Sequence, residues 1–154
     1  MTVQAQIMDL LKDLQQEFGT AIIFITHDLG VIADIADDVL VMYGGRCVER
    51  GTKKQVLSSP DHPYTLGLLS SMPSLDGPVD VPLSPIPGSP PSLLNPPSGC
   101  RFHPRCTFAA KVSDGRCSSE RPELEVAEGR GSACHLTVEQ KRELFSDYAG
   151  TRHN

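Results

Sequence analysis

Proline placement constrains this chain more than any other feature. Twelve of its 13 prolines fall between positions 60 and 104. Each proline fixes φ and removes an amide donor, so such a stretch cannot run as a long helix or a central strand. Cysteine is skewed as well: Cys47 stands alone, while Cys100, Cys106, Cys117 and Cys134 share the last third. These asymmetries predict three parts, residues 1–58, 59–97 and 98–154. The first is expected to be globular, the second a proline-rich connector and the third a small cysteine-bearing module.

Composition narrows the function classes. With 39% hydrophobic and 21% charged residues, the 154-residue chain is neither fibrous nor wholly disordered. Its net charge of −5 supplies no global basic field, so nucleic acid is not an expected partner. The longest unbroken apolar run is the five residues 21–25, whereas a membrane span needs about 20. No basic stretch leads into an apolar core at the N-terminus, so no signal peptide is read and a cytosolic setting is expected.

In the first part, Val3, Ile7, Leu10, Leu11, Leu14 and Phe18 mark one face of a helix. Thr2 is placed to cap it and Gly19 to end it. Residues 21–25, Ala-Ile-Ile-Phe-Ile, predict a strand buried on both faces of a parallel sheet. Thr26-His27-Asp28 follows, with Asp28 as the expected N-cap of a short helix over 29–36. Residues 39–43 and 46–50 predict a hairpin turning at Gly44-Gly45, with Cys47 as a small strand residue. A short helix over 53–58 completes an α/β reading with an antiparallel edge. His27 is expected just past a strand's C-terminal end, where open α/β sheets bind ligands and an imidazole can meet a phosphate or orient a water. From position alone, a histidine satisfied by neighbouring backbone is the competing reading.

Within the connector, residues 64–69 predict a short helix covering the hairpin, with Leu66 and Leu69 inward and His62 structural. From 76 to 97 the composition predicts an extended, semi-rigid path with little core. The cysteines are spaced C-x5-C-x10-C-x16-C. Four thiols within 35 residues of a cytosolic protein point to metal rather than to disulfides. The spacing leaves tetrahedral zinc and an iron–sulfur cluster both open. Packing of four reduced thiols as small hydrophobes is the alternative, set lower because the region has few apolar residues. Arg101, Arg105 and Arg116 flank the cysteines and would offset a cluster's charge, or serve as ordinary surface charge. His103 and His135 find no vacancy in a cysteine quartet.

Several segments together resemble one family. They are Thr2-Val3-Gln4-Ala5-Gln6-Ile7, Ile23-Phe24-Ile25-Thr26-His27-Asp28-Leu29, Ile35-Ala36-Asp37, Val41-Met42-Tyr43, Asp61-His62-Pro63-Tyr64-Thr65-Leu66 and Gly99-Cys100-Arg101-Phe102-His103-Pro104-Arg105-Cys106. The ordered set is similar to the C-terminal portion of the ATP-binding subunit of ABC importers of the dipeptide/oligopeptide type. That resemblance implies a fragment of the nucleotide-binding domain plus a small, irregular cysteine-rich extension. It implies that His27 contacts the γ-phosphate of ATP and helps position the attacking water. It also implies a [4Fe–4S] cluster on Cys100, Cys106, Cys117 and Cys134, with zinc as the alternative.

The sequence departs from the family in what it lacks. It has no Gly-x-x-x-x-Gly-Lys-Ser/Thr to cradle phosphates, and no Leu-Ser-Gly-Gly signature. The strand whose Asp-Glu would hold Mg²⁺ and supply the base is missing too. Alone, the chain is therefore expected not to hydrolyse ATP. The reading is of a piece produced by truncation, a split gene or a misplaced start. In the complete protein, ATP and Mg²⁺ between two such subunits would drive peptide import through membrane-embedded permease partners, at the cytoplasmic face of a bacterial membrane. The rival functions are a stand-alone iron–sulfur or zinc module and a non-functional gene product.

Overall fold

The computed structural model describes residues 2–72 and 84–152. The chain forms two compact units, Met1–Asp37 and Asp38–Asn154. Of the connector expected to run extended from 76 to 97, residues 76–83 lie outside the described residues and residues 84–97 form no helix or strand.

The first unit holds α1 (Val3–Phe18) and α2 (Leu29–Ile35). Both caps read from sequence are present. The Thr2 hydroxyl accepts from the Ala5 amide at 3.2 Å, and Gly19 ends the helix in the left-handed region at φ 59°. The Asp28 carboxylate accepts from the Gly30 and Val31 amides at 2.8 and 3.3 Å. Lys12 pairs with Asp34 at 3.3 Å. The strand expected over residues 21–25 does not form. No strand among the described residues pairs with this segment, and Ile23 and Ile25 are 91% and 94% exposed. A β-branched run needs a neighbouring ladder before it becomes a strand, and this stretch has none. The parallel sheet read from it is therefore corrected.

The second unit is built on a four-stranded antiparallel sheet. Its strands are β1 (Asp38–Tyr43), β2 (Arg46–Thr52), β3 (Glu125–Ala127) and β4 (Arg130–Ser132), in the order β1-β2-β4-β3. The β1–β2 turn is two glycines at φ 55° and 78°, the left-handed pair that a tight hairpin requires. Between Met42↔Cys47 and Val41↔Glu49 the register slips by one residue. That bulge puts neighbouring Val48 and Glu49 both in the interior. The helices α3 (Lys53–Ser58) and α4 (Pro63–Ser70) follow, α3 opened by a capping box between Thr52 and Gln55. Leu66 and Leu69 are buried, as the sequence predicts.

Glu49 ties the sheet to α4. Its two carboxylate oxygens accept the backbone amides of Asp61 and His62, at 2.7 and 3.0 Å. His62 then caps α4, its Nδ1 accepting from the Tyr64 amide at 3.0 Å. Asp61 takes an ion pair from Lys141 at 3.2 Å, and its carbonyl accepts from the Ser132 hydroxyl at 2.8 Å. Lys141 belongs to α6 (Val138–Arg152), which opens on reciprocal Thr137 and Gln140 capping bonds.

Two apolar clusters surround this polar knot. Tyr43, Val48 and Phe102 form one, with Tyr43 and Phe102 rings edge to face at 5.1 Å. Leu66, Val112, Leu136 and Phe145 form the other. The cysteine region thus has an apolar core, contrary to the expectation of a segment too poor in apolar residues to build one. The earlier half of the unit supplies the missing share: Tyr43, Val48 and Leu66.

Burial pushes the Glu49 carboxyl up to about 7, and burial beside Lys141 pushes His62 down to about 3. Their linkages oppose each other. Glu49 holds a proton in the fold that the unfolded chain releases near pH 4.3, so its contribution falls as pH rises to about 7. His62 stays neutral where the unfolded chain protonates, so its contribution rises with pH up to about 6.5. Unfolding free energy between pH 5 and 6.5 should therefore show little net slope from this pair. Glu49→Gln removes one side, and stability measured by denaturant titration should then rise by about 1 kcal/mol per pH unit in that window.

Candidate functional site

His27 occupies a bend between the irregular segment 20–26 and the start of α2. Asp28, one residue on, is committed to capping. The imidazole is exposed, with no hydrogen bond or ion pair among the described residues. The competing sequence reading, a histidine satisfied by nearby backbone, gains nothing from this placement.

The four clustered cysteines belong to the second unit, and the fold brings them to a single cavity. Cys100, Cys106, Cys117 and Cys134 all line it, with Phe108, Val112 and Leu136 among its apolar walls. Chain geometry explains the convergence. The Cys100 amide donates to the Cys117 carbonyl at 2.9 Å, and the Cys106 amide to the His103 carbonyl at 3.2 Å. Beside Cys134, the Ala133 amide bonds to the Val48 carbonyl at 2.8 Å, pinning that end to β2. Gly99 makes the closest of these approaches possible. Its φ is +64°, and a Cβ there would lie 2.6 Å from the Cys117 carbonyl oxygen.

All five cysteines are free thiols. Burial pushes Cys106 up to about 12 and Cys134 up to about 11. Cys100 and Cys117 are raised for the same reason. Backbone amides two residues on, at Phe102, Phe108 and Leu136, pull Cys100, Cys106 and Cys134 the other way by hydrogen bonding to sulfur. In this state the thiols are protonated and pack as small apolar groups against the two clusters. The cavity has about 10 Å³ of free space, room for one water.

Among the described residues, no group of three or more His, Cys, Asp or Glu side chains is arranged to hold a metal ion. The lining chemistry is that of thiols alone, a donor type that both tetrahedral zinc and iron–sulfur clusters use. Four thiols converge, no carboxylate lines the cavity, and amides stand ready to stabilise sulfur charge.

The remaining predicted residues have structural work. His62 is buried, and its ring lines the thiol cavity. Its Nε2 makes no full hydrogen bond, although the Ala133 backbone lies near it. His103 Nδ1 meets the Cys100 carbonyl at 2.9 Å, and His135 Nε2 meets that of Glu120 at 2.8 Å. Arg105 binds the Pro87 carbonyl at 2.8 Å and the Tyr43 hydroxyl at 3.3 Å, clamping the connector to the sheet. Arg101 binds the Gly44 carbonyl, and Arg116 pairs with Glu120 at 2.8 Å. Cys47 lies in β2, its thiol donating to the Glu49 carbonyl at 3.3 Å. Sequence reasoning missed Glu49 and Lys141. The Thr137-x-x-Gln140 capping box was the readable signal for the helix carrying Lys141.

Comparison with known proteins gives this arrangement a family. Residues 48–112 match the oligopeptide/dipeptide transporter, C-terminal region. That segment contains β2 from Val48 onward, α3, α4 and the first two cysteines of the quartet. This match and the relatives below support a C-terminal portion of an ATP-binding subunit of the peptide ABC importer type. It is 51% identical over 140 residues to the oligopeptide transport ATP-binding protein OppD of Escherichia coli (strain K12), covering 91% of this chain and 40% of that protein. It is 46% identical over 137 residues to the dipeptide transport ATP-binding protein DppD of Caldanaerobacter subterraneus subsp. tengcongensis, covering 88% and 40%. With OppD of Bacillus subtilis (strain 168) it shares 54% identity over 112 residues, covering 73% and 31%. The chain thus spans about two fifths or less of the length of these curated relatives.

Gly99→Ala should cost at least about 2 kcal/mol of stability, because it combines a left-handed backbone with a backbone clash. Thermal unfolding checks this. Gly19→Ala, with the same sign of φ but open space around it, should cost about 1 kcal/mol.

Proposed function

We propose that this chain is the C-terminal part of the energy-coupling subunit of a peptide importer, in which ATP hydrolysis drives solute uptake. The observation that carries the reading is its 51% identity to an oligopeptide transport ATP-binding protein along 91% of its length. In the complete protein, ATP and Mg²⁺ sit between two ATP-binding subunits, and membrane-embedded permeases are the other partners. No helix among the described residues is long and apolar enough to cross a membrane. Attachment to the cytoplasmic face through the permeases fits that finding.

His27 is the residue of this chain assigned to the reaction. Its exposed imidazole at the mouth of α2 is free to meet a γ-phosphate oxygen and to orient water. The other parts of phosphoryl transfer, a phosphate cradle and a magnesium carboxylate, are not legible in this sequence. The chain alone should therefore show no saturable micromolar binding of Mg-ATP and no phosphate release. In a protein that carries the upstream motifs, His27→Ala should lower turnover by roughly 10²-fold while sparing ATP binding. Unchanged turnover would return His27 to a structural role.

Cys100, Cys106, Cys117 and Cys134 are proposed to hold a [4Fe–4S] cluster. The convergence of four thiols on one cavity supports this reading. Bound there, the cluster would cross-link three stretches of chain and add folding energy. The thiols must first lose their protons and move apart, because the cavity as it stands is nearly filled. Anaerobic purification with iron and sulfide analysis should find four of each per chain. Single Cys→Ser changes in the quartet should abolish the visible absorption, and Cys47→Ser should not. A colourless protein with one zinc would refute the cluster, and a metal-free folded protein would leave the quartet as core thiols.

A further inference from the structure

A second cavity, of about 280 Å³, opens beside the β1–β2 hairpin. It lies just below the range for ligand pockets, about 300–1,000 Å³, which limits it to a small ligand. Its lining is basic. Arg46, Arg101 and Arg121 contribute three guanidinium groups, and Glu123 is the one carboxylate among the lining residues. These charges come from three separate stretches of chain: the hairpin, the first cysteine loop and the segment before β3.

The compensation is incomplete. Arg101 spends one nitrogen on the Gly44 carbonyl. Arg121 pairs with Glu123 at 3.4 Å, in an exposed bridge whose side chains are 56% and 68% accessible. Such bridges are worth little. The Arg46 guanidinium makes no hydrogen bond or ion pair among the described residues. Partial desolvation disfavours the charge of Arg46 first, and the fields of Arg101 and Arg121 add to it, with Glu123 opposing them. Three like charges around one hollow, with one counter-charge, leave an excess of two positive charges that a bound dianion would neutralise. Planar guanidinium forks match the oxygens of phosphate and bind them in bidentate fashion. Leu124 gives the same hollow an apolar wall, which suits an organic group attached to the phosphate.

We infer that the cavity bounded by Arg46, Arg101 and Arg121 is a binding site for a small phosphate-bearing anion. It is separate from the cavity that all four clustered cysteines line, although Cys100 borders both.

The test is calorimetric titration of the full chain with inorganic phosphate, glycerol phosphate and succinate at low ionic strength. Saturable one-to-one binding of at least one phosphate compound is expected, weakening as salt is raised. Arg46→Gln and Arg121→Gln should each weaken it by roughly tenfold, with thermal unfolding unchanged. Arg101 is left intact because it also supports the hairpin. Tighter binding of glycerol phosphate would assign an organic phosphate, and equal binding would mean that the phosphate group alone is read. No saturable binding up to about 10 mM, an affinity too weak for a built arginine site, would overturn the inference. So would undiminished binding when Arg46→Gln and Arg121→Gln are combined, or succinate binding as tightly as either phosphate.

Discussion

The Glu49 carboxylate is the interaction on which the second unit depends. A bulge turns it inward from β2, and it accepts two consecutive backbone amides, those of Asp61 and His62. Burying a carboxyl costs free energy, which its two hydrogen bonds from backbone amides offset in part. In return the start of α4 is fixed against the sheet. His62 can then cap α4, and Asp61 can hold Lys141 of α6. One side chain in the hairpin thereby sets the positions of a helix that begins 14 residues later and of another more than 80 residues on.

The thiol cavity inherits its shape from that arrangement. Pro63 and His62 line it together with the cysteines, so the segment that Glu49 fixes is also a wall of the candidate site. Phe102 and Val48 pack with Tyr43 on the sheet side, and Leu66 packs with Val112 and Leu136 on the other. The cysteines fall between these clusters. In their protonated form they complete the apolar packing, and as thiolates they would need a cation to repay desolvation. The structure holds the packed thiol state, and the metal-bound state proposed above would have to open that packing.

Local signals in the sequence were legible. Thr2, Gly19 and Asp28 fix helix ends through their own side chains or φ values, and Gly44-Gly45 requires a tight turn whatever surrounds it. Leu66 and Leu69 read correctly as inward, three residues apart on one face of a helix that is apolar nearly all round. Long-range features were not legible. The bulge at Val48 breaks the alternation that would have flagged Glu49, since two adjacent residues face inward. Pairing of β2 with β4 joins Glu49 to Ser132, and no local pattern announces a partner 83 residues away. Residues 21–25 failed in the opposite sense: their composition suits a strand, but strand formation depends on neighbours outside the segment. For the candidate site, spacing marked the cysteines as a set, while only the fold showed that they share one cavity.

Amide hydrogen exchange at Asp61 and His62 tests the central role of Glu49 most directly. If Glu49 holds the unit together, these two amides exchange only through global unfolding, with the same free energy as the Ala133 and Cys100 amides. In Glu49→Ala all four should then lose protection together. Exchange at Asp61 and His62 through cheap local opening, with Ala133 and Cys100 still protected, would contradict the account.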